Sequence, residues 1–325
     1  MTSPHHALTP AQLDRVGGAM LGTAVGDALG APYEFGVASV GPEGPQMIGG
    51  GLGGFAPGEW TDDTTMAWAI LDVAATGADL RSEAALTAIA RNFRAWYDGG
   101  PADIGNQTRI ILGEAGPEPT GSTLTATSFD LHARTGHTAG NGSLMRTAPV
   151  ALGYLGDVAG LIEAARAVSR LTHYDERAQE ACVLWSLAIR HAILHGDIDL
   201  RAGLDHLGPD AAAYWTERIG EAEAGPPNRF RPNGWVVSAL QAAWSAIWHT
   251  PVQSGGPESL RFGDALATAI SIGDDTDTVA AIAGGLLGAA YGASAVPAHW
   301  RGLVHGYPGL TGEQLVALAH LAANR

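Results

Sequence analysis

Apolar positions return every three or four residues along most of the chain, and they scarcely ever alternate. A repeat near 3.6 residues marks helix, whereas a half-buried strand needs a period of two. The pattern predicts a helix over 10–30, where Thr9-Pro10 is a start signal and Leu13, Val16, Met20 and Leu21 recur near helical spacing. Further helices are predicted over 62–76, 82–97 (with Ser82 as N-cap), 103–113, 122–134, 143–154, 158–171, 176–195, 210–223, 235–248, 258–271, 276–291 and 312–323. No convincing strand and no repeat of fixed period emerges. Two breaks richer in Pro and Gly, 116–121 and 225–234, give way at once to apolar helices, so neither reads as a domain linker. The expectation is an all-α fold, one helical domain over 1–325, with 1–9 as a flexible tail.

Two stretches depart from ordinary amphipathic helix. Over 10–30, Gly17, Gly18, Gly22, Gly26 and Gly30 line much of the surface that the larger apolar residues leave free. Interior helical glycine costs roughly 1 kcal/mol relative to Ala, so its repeated use predicts a buried helix pressed against other backbones. Residues 36–59 are rich in Gly and Pro and lack periodicity. A loop of that length inside a domain is usually functional or disordered. Because it feeds directly into Thr61-Asp62-Asp63, it is expected to form the rim or lid of a site.

The chain is organised around Ser271–Thr278 and the run VAAIAGGLLGAAYG that follows it. That run is apolar and small on every side, as in a helix buried all round. At its mouth stand Asp274, Asp275, Thr276, Asp277 and Thr278. A helix start needs one capping oxygen, and several carboxylates beside a core are costly unless a cation compensates them. Trp60–Met66 has the same design, with Thr61, Asp62 and Asp63 before AWAILDVAA. Two such mouths facing each other would make an all-oxygen cage. Thr61, Asp62, Asp63, Asp275, Asp277 and Thr278 suit Mg²⁺ or Mn²⁺, with shared carboxylates allowing two ions. Zn²⁺ fits poorly, since no His/Cys pair with ligand spacing lies nearby. Read as N-caps alone, the two stretches leave the surplus acids unexplained.

Composition narrows the function classes. With 46% hydrophobic residues the chain can bury a full core, yet no run is long and apolar enough for a membrane span. There is no lysine, so every one of the 18 basic side chains is Arg; Schiff-base and Walker-type phosphate-loop chemistry are excluded. A net charge of −15 argues against nonspecific or stable nucleic-acid binding. Cys182 has no partner for a disulfide, and MTSPHHALTP lacks the features of a secretory signal. A cytoplasmic protein without a membrane association, and a monomer, is the expectation.

Three smaller signals complete the reading. Glu34, in a loop after Pro32, could act as acid or base near the metals, or be an ordinary solvated loop acid. Gly140–Arg146 reads as a Gly-rich turn opening a helix, whose N–H groups would suit phosphate, although Asn-Gly marks any tight turn. His173, between a helix ending at Leu171 and one opened by Asp175, could touch a ligand or simply cap.

Together, GxxxGDALGAPYE (Gly22–Glu34), GEWTDDTTM (Gly58–Met66), GNGSLMR (Gly140–Arg146), LTH (Leu171–His173) and GDDTDT (Gly273–Thr278) resemble the ADP-ribosylglycohydrolases, including the dinitrogenase reductase-activating glycohydrolases. The elements occur in that family's order across nearly the whole chain. The resemblance implies an all-α orthogonal bundle holding two Mg²⁺ or Mn²⁺ ions. It implies hydrolysis of the glycosidic bond at ribose C1″ of an ADP-ribosylated protein, nucleic acid or small molecule, with ADP-ribose as product. The metal ligands would be Thr61, Asp62, Asp63, Asp275, Asp277 and Thr278, with Glu34 as the loop glutamate beside them. Gly140, Asn141, Gly142, Ser143 and Met145 would belong to the segment that cradles the diphosphate. His173 would contact the ligand, and Trp235 would border the nucleotide. Some relatives carry an aromatic residue before the GNG turn; Thr138 and Ala139 stand there in this chain, so Trp235 or Tyr291 would have to stack on adenine instead. Asp274 is an additional acid, expected to support or cap.

The implied chemistry delivers water to C1″ with help from Asp62 or Glu34, through an oxocarbenium-like transition state. Two other readings share these residues: a non-catalytic ADP-ribose or nucleotide binder, and a binuclear-metal phosphohydrolase that cuts the diphosphate.

Overall fold

The computed structural model describes residues 7–251 and 258–324. Its helices are α1 (Pro10–Gly30), α2 (Asp62–Ala75), α3 (Glu83–Asp98), α4 (Asn106–Glu114), α5 (Gly121–Thr135), α6 (Ala148–Leu152), α7 (Val158–Arg170), α8 (Glu176–His195), α9 (Pro209–Ala224), α10 (Val236–His249), α11 (Glu258–Ser271), α12 (Thr276–Tyr291), α13 (Ala298–Leu303) and α14 (Gly312–Ala323). Among the described residues, sheet is confined to a two-stranded antiparallel ribbon, β1 (His305–Gly306) and β2 (Leu310–Thr311). The fold is all-α, as the periodicity predicts.

The start signals act as expected. Thr9 and Gln12 form a capping box on α1, and Ser82 caps α3 by accepting from Ala85 N–H. Thr9 is therefore fixed to its helix; of the predicted tail, residues 1–6 lie outside those described.

The centre is the pair α1 and α12. Every residue of α12 from Thr276 to Ala290 is buried. The two helices approach so closely that a Cβ on Gly22 would stand 2.1 Å from the Gly284 carbonyl oxygen, and one on Gly288 would stand 1.9 Å from that of Gly18. No side chain fits there, which is why both helices carry glycine despite its cost. The approach continues to the mouth of α12: a Cβ on Gly30 would meet Asp277 Cα at 2.5 Å, and Thr276 Oγ1 donates to Gly30 O at 2.8 Å. Small residues thus set the C-terminal end of α1, and the loop after it, against the acidic start of α12.

One predicted helix is not continuous. Instead of 143–154, the chain forms a single 3₁₀ turn at Asn141–Ser143 and then the short α6. Pro149 lacks an N–H and cannot sit in the middle of one helix, but it is accepted near the start of α6. The anion site expected from a helix start at Gly140 is accordingly a turn. Likewise α4 starts at Asn106 rather than 103, leaving Asp103–Gly105 as irregular chain beside the start of α2. Residues 36–59 are irregular, as expected, and Leu52 within them reaches the cavity wall.

Candidate active site

A cavity of about 470 Å³ opens where the starts of α2 and α12 meet the loop after α1. That size is within the usual range for small-molecule sites. Its walls carry Glu34, Asp62, Asp103, Asp275, Asp277 and Thr278, together with Gly140–Gly142, Met145 and His173. Arg109, Gln107 and Gly234 complete it, with Phe35 and Leu52 at the mouth.

The two helix mouths do face each other. Thr278 Oγ1 donates to Asp63 Oδ1 at 3.1 Å. Thr61 caps α2 with its own hydroxyl, accepting from Asp63 N–H at 3.4 Å. Asp62 accepts from Gly105 N–H at 3.2 Å, so the segment before α4 fixes its orientation. Asp275 opens α12 without a side-chain cap bond of its own; its Oδ2 instead accepts from Asn141 Nδ2 at 2.7 Å.

Asn233 ties these parts together. It is fully buried, its Oδ1 accepts from Asp275 N–H at 3.0 Å, and its Nδ2 donates to Gly273 O at 3.0 Å. Asn141 N–H donates to Gly234 O, and Asn141 Nδ2 also donates to Asn233 O, both at 3.1 Å. The Gly140 turn is thereby pinned to the start of α10 and to Asp275 at once.

Asp27 is the residue that the sequence reading overlooked. It stands one turn before the end of α1, fully buried. Its carboxylate accepts from Thr61 N–H at 3.0 Å, Thr64 N–H at 2.9 Å and Thr64 Oγ1 at 2.6 Å. It caps α2 from another helix, which satisfies N–H groups that a helix start leaves unpaired. The available signal was a lone acid within the otherwise apolar run MLGTAVGDALG.

The acids form two groups. Carboxylate oxygens of Asp27, Asp63 and Asp277 all lie within 4.8 Å of one another, as do those of Glu34, Asp275 and Asp277. Asp277 belongs to both. Asp63 Oδ2 is buried without any hydrogen-bond partner, an arrangement that proteins seldom leave uncompensated. Burial, reinforced by the neighbouring carboxylates, pushes Glu34 up to about 9 and Asp62 to about 7. The same causes hold Asp63 and Asp277 well above the ordinary range. Burial raises Asp27 to about 6 even though the Thr64 and Thr61 hydrogen bonds oppose it. Carboxyl groups that cannot all ionise by themselves, together with an orphaned buried oxygen, fit hard divalent cations. The donor set differs from the expected one in bringing Asp27 and Glu34 into the two groups.

Glu34 is buried, not solvated. Backbone geometry holds it: the residue leaves helical φ/ψ, Phe35 takes a left-handed φ of 46°, and Phe35 N–H donates to Asp274 O at 2.7 Å. A non-glycine residue at positive φ is uncommon and clusters at functional sites. Asp274 also has positive φ, and its side chain pairs with Arg231 at the rim.

Other expected site residues fall differently. Ser143 is buried away from the cavity wall, where its Oγ accepts from Ser169 Oγ at 3.0 Å. Trp235 is half exposed and outside the wall, although its neighbour Gly234 lines it. Tyr291 sits at the opposite end of α12, with Arg261 5.6 Å from its ring centroid, and cannot serve as an adenine platform. Phe35 is the aromatic side chain, besides His173, on the cavity wall among the described residues.

A family model described as ADP-ribosylglycohydrolase matches residues 8–325. The chain belongs to this family. It is 33% identical over 303 residues to the ADP-ribosylarginine hydrolase Tri1 of Pseudomonas putida strain GB-1, covering 90% of this chain and 75% of the relative. It is 30% identical over 298 residues to the ADP-ribosyl-[dinitrogen reductase] glycohydrolase of Rhodospirillum rubrum, covering 90% of each. A solved structure described as an ADP-ribosylglycohydrolase-related protein complex superposes with a TM-score of 0.69 at 27% identity, covering 97% of this chain and 99% of that one. The protein is thus an enzyme of the ADP-ribosylglycohydrolase fold, and its family chemistry is hydrolysis of ADP-ribosyl linkages. No described helix is long and apolar enough to cross a membrane.

Proposed function

We propose that the enzyme cleaves the glycosidic bond at ribose C1″ of an ADP-ribosylated side chain, with two divalent cations, Mg²⁺ or Mn²⁺, held between the α2 and α12 mouths. The orphaned Asp63 Oδ2, set among two carboxylate groups that share Asp277, is the observation that carries this reading. Asp27, Asp63 and Asp277 would hold one ion and Glu34, Asp275 and Asp277 the other, with Thr61, Asp62 and Thr278 completing the oxygen set. Bound there, cations supply the positive charge that lets these acids ionise together, and an anchor for vicinal ribose hydroxyls.

The chain's own groups account for the rest. Asp62 and Glu34 both line the cavity, where their carboxyl groups stand ready for proton exchange with water and leaving group. One takes a proton from the attacking water and the other returns one to the leaving group. The surrounding carboxylates favour the positive charge that develops on the ribose ring. The Gly140–Gly142 backbone, Arg109 and His173 also line the cavity, where a diphosphate would lie.

Arginine is the linkage we favour. The two relatives compared above are named for ADP-ribosylarginine and for ADP-ribosyl-[dinitrogen reductase]. On the other side of Asp62, a smaller cavity of about 200 Å³ is lined by Glu59, Asp103, Trp96 and Tyr307. Acids and aromatic faces suit a guanidinium leaving group. The test is incubation with ADP-ribosylarginine, ADP-ribosylserine and a nucleobase adduct, in Mg²⁺, Mn²⁺ or EDTA, with products separated by chromatography. Metal-dependent release of free ADP-ribose from the arginine adduct is expected. AMP plus ribose phosphate, or no release from any adduct, would overturn the proposal.

A further inference from the structure

One group beside the cavity is not explained by packing. Arg146 is fully buried, with its guanidinium 4.8 Å from the Phe93 ring centroid, and no carboxylate pairs with it among the described residues. Its Nη2 donates to Thr172 Oγ1 at 2.7 Å and lies 3.5 Å from Val168 O. Its Nη1 meets Met66 Sδ at 3.5 Å, and Nε has no partner. Burial pulls its pKa down to about 10, which still leaves it charged at neutral pH. An enclosed cation facing only neutral acceptors is costly, so its retention calls for a role.

Thr172 Oγ1 has a second partner, His173 Nδ1, at 2.7 Å. A hydroxyl carries one proton, and a guanidinium can only donate. With Arg146 donating to this oxygen, the hydroxyl proton has one acceptor among its described partners, the Nδ1 nitrogen. The opposite arrangement, with Nδ1–H donating to the oxygen, strands a buried O–H, which native structures rarely tolerate. Nδ1 is therefore the bare nitrogen, and the ring proton sits on Nε2. Burial, assisted by the nearby Arg146 charge, holds the ring well below its ordinary pKa and hence neutral.

His173 lines the cavity, and its Nε2 lies beside Gly140 and Gly142, which line it too. That nitrogen has no protein partner among the described residues, and a Cβ on Gly140 or Gly142 would stand 3.3 or 3.2 Å from it. We propose that Arg146 and Thr172 are positioning residues, which hold His173 in its Nε2–H tautomer and so present a fixed donor to an anionic oxygen of the ligand. Only the identity of that oxygen, a diphosphate oxygen, rests on the function proposed above. Gly140 and Gly142 leave room for the ring, and Gln107 Nε2 steadies the segment by donating to Thr172 O at 2.7 Å.

Proton correlation spectra of the full-length protein labelled with ¹⁵N-histidine decide the tautomer, with His173→Gln identifying the His173 signals. At pH 7 the wild type is expected to show a protonated Nε2 and a bare, hydrogen-bonded Nδ1. Thr172→Val keeps the shape and removes the hydroxyl; the Nδ1 signal should move to that of a non-bonded nitrogen. ADP-ribose affinity in Mg²⁺, measured by calorimetry, should fall roughly tenfold in that variant, and Thr172→Ser should restore both spectrum and affinity. A proton on Nδ1 in the wild type, a doubly protonated ring, or Thr172→Val matching wild type in both readouts overturns the proposal. If wild type fails to bind ADP-ribose, the functional reading falls while the spectrum still decides the tautomer.

Discussion

Thr278 Oγ1 and Asp63 Oδ1 lie 3.1 Å apart although 215 residues separate them in the chain. This contact joins the mouths of α2 and α12, so it reports whether the cation cage is assembled. Asp277→Ala should abolish Mn²⁺ binding, whereas Thr278→Ala should weaken it by roughly 10–100-fold, the usual effect of removing a group that orients metal ligands. Titration calorimetry on the metal-stripped protein measures both. Unchanged Mn²⁺ affinity in Asp277→Ala would show that the cations sit elsewhere.

Stability without metal should depend on pH in the direction opposite to most acidic proteins. The unfolded carboxyl groups titrate near 4, while burial holds Asp27 at about 6, Asp62 at about 7 and Glu34 at about 9. The folded state therefore binds more protons, and its stability falls as pH rises from about 4 through those values. Mg²⁺ should reverse the trend, with a larger thermal shift at pH 8 than at pH 5.5. Scanning fluorimetry in EDTA and in Mg²⁺ checks this; a melting temperature in EDTA that climbs between pH 5.5 and 8 contradicts it.

Asp27 should matter even before any metal binds. Asp27→Ala strands the N–H groups of Thr61 and Thr64, and should cost about 2–3 kcal/mol of unfolding free energy in EDTA. Asp27→Asn, which still accepts hydrogen bonds, should cost less yet respond more weakly to Mg²⁺. Urea titration separates the two, and an Asp27→Ala protein as stable as its parent would remove the capping role.

The α1–α12 seam should tolerate no side chain. Gly22→Ala places a Cβ 2.1 Å from a backbone oxygen and should destabilise by about 3 kcal/mol or more. Gly302→Ala, at an exposed position of α13 with nothing within 4 Å of the added carbon, should be neutral or stabilising by up to about 1 kcal/mol. Equal effects in urea denaturation would mean that the close approach is not what glycine is retained for.

Local periodicity and capping were enough to define most of the helices, because both depend on neighbours a few residues apart. Thr9-Pro10 and Ser82 start helices where they were expected to. The acid and hydroxyl surplus at Thr61–Asp63 and Asp274–Thr278 was equally legible, since it exceeds what capping needs. The break near Pro149 was also present in the sequence, yet the apolar spacing around it suggested one continuous helix. Gly140–Ser143 is a turn: Asn141 N–H donates to Gly234 O at the α10 entry, while Leu144 and Met145 N–H donate back to Asn141 O.

By itself, then, the sequence determined that this is a helical protein with two acidic helix mouths and two helices rich enough in small residues to be buried. Only tertiary structure decided that Asp27 caps α2 from a distance, that Ser143 turns inward, that Tyr291 lies at the wrong end of its helix, and that Arg146 reaches the Thr172 hydroxyl beside His173. Those outcomes depend on which elements meet, and spacing along the chain carries no record of that. The physical reason is the seam itself: glycine permits α1 and α12 to touch backbone to backbone, and their crossing then sets which side chains share the cavity.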